Sequence, residues 1–183
     1  VEVVKGETTG LPIPADAEIV LEGEVLPPPA CLREEGSFGE WSGYHAGGVE
    51  KRPFMKVMSI LHRDDPIVHG SPHFHPPIEC AAYHHIQTAA STWNELDRRV
   101  PDVMGVWVLT QAGMDLFQVV SIKQRYAGHA MQAGLLAASV SKGRPIVVVD
   151  DDVDPSDLTQ VLWALSCRVD PEKDIHVIPK AQI

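Results

Sequence analysis

The placement of proline constrains this chain more than any other feature. Its 15 prolines concentrate at Leu11 to Pro14, Pro27 to Pro29 and Pro72 to Pro77. Each one lacks an N–H and fixes φ, so regular structure is interrupted at these points and confined to the stretches between them. From Ala17 to Val25, residues Ile19, Leu21 and Val25 alternate with Glu18, Glu22 and Glu24 in the manner of a half-buried strand. From Phe54 to Leu61, Met55, Val57, Ser59 and Leu61 lie opposite Phe54, Lys56, Met58 and Ile60. Residues 1–79 therefore read as β-rich and loop-rich.

Beyond Pro77 the pattern changes to helices alternating with strands. Ile86, Ala89, Ala90, Trp93 and Leu96 form an apolar stripe at helical spacing within Cys80 to Arg99, and Pro101 ends that helix. Val103 to Thr110 and Leu116 to Lys123 read as two strands joined through Gln111-Ala112-Gly113. A second helix is predicted from Gly128 to Val140 with Met131, Leu135 and Ala138 inward. Ile146 to Val149 is a β-branched run between Pro145 and Asp150, predicted to be a strand buried on both faces. Asp154 offers an N-cap and Pro155 a first helical residue, with Leu158, Val161, Leu162 and Leu165 as the buried stripe. Ile175 to Ile178 then reads as a returning strand, which makes the end of the chain a βαβ unit.

Composition narrows the classes. With 183 residues, 44% of them apolar, the chain has material for a real core, so intrinsic disorder is excluded. The net charge is −10 and the pI about 5.3, which argues against nucleic acid or anionic membrane as partners. The longest apolar stretches fall well short of the roughly 20 residues a spanning helix needs, so no membrane span is expected. Three scattered cysteines (Cys31, Cys80, Cys167) and the lack of a charged-then-apolar leader lead us to expect a cytoplasmic protein. The first residue, Val1, and the strand-like last segment suggest a piece of a longer chain.

Four clusters carry chemical potential. Glu35-Gly36-Ser37-Phe38-Gly39-Glu40-Trp41 holds two carboxylates at a spacing that neither strand nor helix brings together. Gly36 and Gly39 permit a sharp bend that would converge them beside Phe38 and Trp41, where apolar surroundings and like charge raise a carboxyl pKa. A glycine turn with two solvated acids accounts for the same residues. Asp150-Asp151-Asp152-Val153-Asp154 follows the apolar strand, where hard oxygens suit Mg²⁺, although helix capping explains the cluster more simply. His69, His73, His75, His84 and His85, with Glu79, crowd one region without a helical ligand spacing, so surface histidines are expected and no metal site is assigned. Lys123-Gln124-Arg125-Tyr126-Ala127-Gly128-His129 places cations before a helix start, which suits an anion such as phosphate and equally a charged strand end.

These segments together resemble the UbiD family of decarboxylases. The resemblance runs through Leu11 to Gly23, Glu35 to Gly43, His62 to Pro66, Ser121 to Ala130 and Val148 to Asp174, and is most distinctive in Asp150 to Asp154 followed by Leu162 to Pro171. It implies an α/β (α+β overall) fold. Residues 1–79 would be the end of a split β-barrel that binds prenylated FMN, and residues 80–183 a C-terminal α/β oligomerisation domain. It implies non-oxidative, reversible decarboxylation of an aromatic, heteroaromatic or α,β-unsaturated carboxylic acid through a covalent adduct with the prenylated FMN.

Within that resemblance Glu40 is the acid/base that protonates the carbon left by CO₂, and Glu35 holds an arginine that lies outside this chain. Lys123, with Arg125 as the alternative, contacts the flavin phosphate, and Leu165 and Cys167 line the substrate pocket, which Trp41, next to Glu40, is expected to wall as well. Ser37 and Ala127 stand where the family usually has proline. The family's divalent metal (Mn or Mg), with K⁺, has its ligands in a segment not seen here. A homo-oligomer, a remaining part of the enzyme or a complementary subunit, and a flavin prenyltransferase that supplies the cofactor are the implied partners. A non-catalytic oligomerisation module is the alternative, and the retained pair Glu35 and Glu40 weighs against it.

Overall fold

In a computed structural model, which describes residues 1–45, 47–72, 75–141 and 143–179, the chain divides into two units. The first comprises Val1–Glu40 and His45–Pro72, and the second Trp41–Tyr44 and His73–Ile183. The architecture is mixed α/β, with small sheets and four helices among the described residues.

The first unit consists of three two-stranded antiparallel ribbons. β1 (Val3–Lys5) pairs with β2 (Pro12–Pro14), β3 (Ile19–Glu24) with β6 (Lys56–His62), and β4 (Leu32–Glu35) with β5 (Glu50–Pro53). The alternation read from Ala17 to Val25 and from Phe54 to Leu61 thus does form strands, with a bulge between Glu22 and Gly23. Its burial is inverted relative to a normal ribbon. Glu22 is buried, while Leu21, Val57, Met58 and Ile60 are exposed. Glu22 is held there because its carboxylate accepts from the N–H groups of Thr8 and Thr9 at 3.2 and 2.9 Å and from the Thr9 hydroxyl at 2.6 Å. Those three donors close the turn between β1 and β2 and hold the carboxyl below its ordinary pKa.

The second unit has a three-stranded sheet in the order β7 (Val103–Val108), β8 (Gln118–Ile122), β9 (Ile146–Asp150). β7 and β8 form the expected antiparallel hairpin, closed by a 3₁₀ turn at Thr110–Ala112 and by Gly113 at φ +114°. β8 and β9 are parallel, and the helix between them is α2 (His129–Val140). One face of the sheet packs Val106, Val120 and Ile122 against Leu96 of α1 (Ala81–Asp97) and Ala133 and Ala137 of α2. The other packs Val119 and Val149 against Val161 and Ala164 of α3 (Leu158–Cys167). Both faces being covered, β8 is buried along its whole length.

Several expectations are corrected here. The βαβ unit is β8–α2–β9, two elements earlier than predicted, because Ile175 to Ile178 forms no strand. That segment follows α4 (Pro171–Asp174) and leaves Ile175, Val177 and Ile178 exposed. Alternating apolar residues become a strand only when a sheet edge accepts their backbone. α3 begins three residues after Pro155 and is capped by Asp157, which accepts from the Thr159 and Gln160 N–H groups. Asp154 instead closes a separate turn by accepting from Ser156. On α2 the buried residues are His129, Ala133 and Ala137, whereas Leu135 and Ala138 are exposed. The helix has two apolar faces, and the one with small side chains allows the closer approach to the sheet. On α1, Ala89 and Leu96 are buried as expected, but Ile86, Ala90 and Trp93 are exposed. Leu162 of α3 is exposed likewise, and β9 is an edge strand only partly buried.

Candidate functional site

Glu35 ends β4, where it faces Glu50 in register and lies 3.9 Å from the Arg52 guanidinium. Arg52 pairs more closely with Glu50, at 2.6 Å. Glu40 is half-buried and follows Gly39, which bridges to His45. The positive φ values in this region are at Gly43 and Gly47 rather than at Gly36 or Gly39, so the bend lies beyond the pair. Glu35 is exposed, and neither acid lines either of the two cavities described below.

Both cavities lie in the second unit. The larger, 840 Å³, runs along α2, β9 and α3 and is lined by Met131, Leu135, Val148, Leu165 and Arg168 among others. The smaller, 520 Å³, is lined by Trp41, Ser42, Tyr44, Leu116 and Arg144 among others. Trp41 packs there beside Ile78, Cys80, Ala81 and Met114. The structure therefore places Trp41 and Leu165 in different cavities, and Cys167 is an exposed free thiol that lines neither.

The segment before α2 is better ordered for chemistry. Gly128 caps the helix at φ +85°, a left-handed conformation that glycine adopts without steric cost, and no side chain closes the end. Among the described residues the N–H groups of Ala130 and Met131 find no acceptor, so the helix start presents donors and the positive end of its dipole. Lys123 is exposed and forms no ion pair among the described residues. Arg125 is committed to the carboxylate of Asp102, which holds that carboxyl below its ordinary pKa. Of the two cations considered for an anion, Lys123 is the one left available. This donor set fits a phosphate group.

The remaining clusters resolve structurally. Asp152 takes both guanidinium nitrogens of Arg168, at 2.7 and 2.6 Å, with Asp150 at 3.7 Å, and Arg168 stacks over Trp163. His75 bonds the Pro76 carbonyl, His84 lies tilted against the Tyr83 ring, and His85 bonds the Ala81 carbonyl, while His73 lies outside the described residues. Among the described residues no group of three or more His, Cys, Asp and Glu is placed to hold a metal ion. The residues present do not fit the divalent ion that the resemblance implies. Sequence reasoning missed Asp102 and gave His129, which it placed in the fourth cluster, no role of its own. Their only signal was position, at opposite ends of the segments that meet at this loop.

A three-stranded sheet covered by helices on both faces makes the second unit an α/β layer. The chain belongs to the UbiD family of carboxy-lyases: the 3-octaprenyl-4-hydroxybenzoate carboxy-lyase Rift-related domain matches residues 1–75 and the C-terminal domain of the same family residues 84–183. A phenolic acid decarboxylase of Bacillus subtilis is 35% identical over 99% of this chain. The chain spans 38% of that relative's length. Among solved structures, an evolved dimeric form of the UbiD-class enzyme HmfF from Pelotomaculum thermopropionicum, in complex with prFMN, is 30% identical with a TM-score of 0.82, over 97% of this chain and 41% of that one. Apo 3,4-dihydroxybenzoic acid decarboxylase (AroY) of Klebsiella pneumoniae is 31% identical with a TM-score of 0.79, over 94% of this chain and 37% of that one. No helix among the described residues is long and apolar enough to cross a membrane.

Proposed function

We propose that this chain is part of a UbiD-type decarboxylase that acts, without net oxidation and reversibly, on an aromatic, heteroaromatic or α,β-unsaturated carboxylic acid. The observation that carries the reading is the family match through both units, joined to the open helix start and available Lys123. Prenylated FMN, when bound, supplies a covalent electron sink for the carbon that loses CO₂. Lys123 and the first N–H groups of α2 hold the flavin phosphate. Glu40 holds the proton that is delivered to that carbon, and Glu35 orients an arginine contributed from outside this chain. Trp41, Leu165 and Cys167 are assigned to the substrate pocket of the assembled enzyme.

The exposed apolar residues of the β3–β6 ribbon support the assignment of residues 1–79 to the end of a split barrel. A two-stranded ribbon is marginal by itself and needs further strands or a covering layer. Those come from the rest of the polypeptide or from a complementary subunit. Residues 80–183 are assigned to oligomerisation of a homo-oligomer in the cytoplasm, with a flavin prenyltransferase as cofactor supplier. The divalent metal and K⁺ are assigned to segments outside this chain.

Glu40→Gln in the native protein, co-expressed with a flavin prenyltransferase, tests the reading. Loss of decarboxylation with the flavin absorbance retained is the expected result, and undiminished turnover would remove Glu40 from its role. The exposure of Glu35 favours one second reading, a non-catalytic oligomerisation module. That reading predicts no flavin in the purified complex and an unchanged assembly in both Glu→Gln variants.

A further inference from the structure

His129 is fully buried at the first residue of α2, and neither the family match nor the proposed chemistry uses it. Its two ring nitrogens face partners of fixed character. Nδ1 accepts from the backbone N–H of Arg125 at 3.3 Å, and Nε2 lies 3.0 Å from the Pro101 carbonyl. A backbone N–H only donates and a carbonyl only accepts, so the ring is neutral and carries its proton on Nε2.

The same two backbone segments are joined twice more. The Lys123 N–H donates to the Asp102 carbonyl at 2.9 Å, and the Arg125 guanidinium pairs with the Asp102 carboxylate. Asp102 sits at φ +52°, a left-handed conformation costly for a residue with a Cβ and kept only where its surroundings demand it. Tyr126 stacks on the His129 ring at 4.6 Å and its hydroxyl donates to Gln132 at 2.6 Å, while Gln124 donates to the Tyr126 carbonyl at 2.8 Å. The loop from Lys123 to Gly128 is therefore tied to Asp102, His129 and α2 through several of its residues.

We infer that His129 is a positioning residue, which pins the Lys123–Gly128 loop through its neutral Nε2–H form so that Lys123 and the start of α2 stay aligned for a phosphate. The inference rests on the reading of Lys123 as a flavin-phosphate ligand. Protonation of His129 would put a hydrogen on Nδ1 opposite the Arg125 N–H, setting donor against donor. The charged groups beside the ring are Arg125, whose N–H it accepts, and the Asp102 carboxylate, which interacts with it across the loop. The carboxylate is already taken by Arg125, so an imidazolium here has no acceptor in place of the bond it loses.

The test compares wild type, His129→Ala and His129→Gln in the native protein by hydrogen exchange of the 123–130 segment and by FMN titration. Gln carries an acceptor oxygen and a donor nitrogen in one neutral group. We expect His129→Ala to speed exchange in the loop and weaken FMN binding about tenfold, the scale of losing the two bonds. His129→Gln should return affinity to within about threefold of wild type. Unchanged loop exchange in His129→Ala, or a loss of affinity in His129→Gln as large as in His129→Ala, would overturn the inference. Faster exchange with FMN affinity unchanged would instead overturn the phosphate reading of Lys123, and with it the role in binding. If His129→Ala does not fold, the comparison of wild type with His129→Gln decides the question alone.

Discussion

Two glycines six residues apart at α2 should respond to the same substitution with opposite sign. Gly128 caps the helix at φ +85°, and a Cβ added there meets nothing within 4 Å, so the cost of Gly128→Ala is purely conformational. Forcing an L-residue into the left-handed region costs about 1–2 kcal/mol. Gly134 lies inside α2 with ordinary helical geometry, and an added Cβ would reach the Val148 side chain at 3.4 Å, an ordinary contact. Replacing an interior helical glycine by alanine stabilises by roughly 0.5–1 kcal/mol. The two variants should therefore differ by about 2 kcal/mol, or very roughly 8 °C in Tm for a unit of this size. Urea unfolding followed by tryptophan fluorescence reads this directly, since Trp107 and Trp163 lie in β7 and α3. Gly128→Asn should recover part of the loss, because asparagine tolerates the left-handed region. A Gly128→Ala variant as stable as wild type would refute the reasoning, and so would a shared sign for the two alanine variants.

Three further outcomes are expected. The folded pKa of Glu22 is lowered by its three donors, so its contribution is complete above its ordinary value of 4.5 and lost as pH falls through the lower folded value. Acid unfolding of the first unit, compared with Glu22→Gln, should show this difference at neutral pH and its disappearance in acid. Gly6→Ala should destabilise the same turn, because the added Cβ would lie 2.1 Å from the Glu22 carboxylate oxygen, and thermal unfolding checks it. Leu96→Ala, at a fully buried position in the α1 contact with the sheet, should cost about 2–5 kcal/mol in urea unfolding without altering FMN affinity.

The strands β3, β6, β7 and β8 and the helices α1, α2 and α3 were legible because they rest on local rules: period-two or helical alternation, and proline or glycine at the ends. Family membership was legible too, since ordered short motifs survive where single clusters are ambiguous. Which face of α2 points inward was not legible, because residues 129, 133 and 137 and residues 131, 135 and 138 make two apolar faces, and only the approach distance to the sheet chooses between them. The strand expected at 175–178 failed for a related reason, as no alternation supplies the sheet edge a strand must pair with. At the candidate site, sequence alone determined which charged residues stand near the start of α2. That Arg125 is spoken for and Lys123 available was decided by Asp102, which lies 23 residues from Arg125 along the chain. A partner that distant meets it only after the sheet and its helices have packed, so tertiary structure alone assigns the charge.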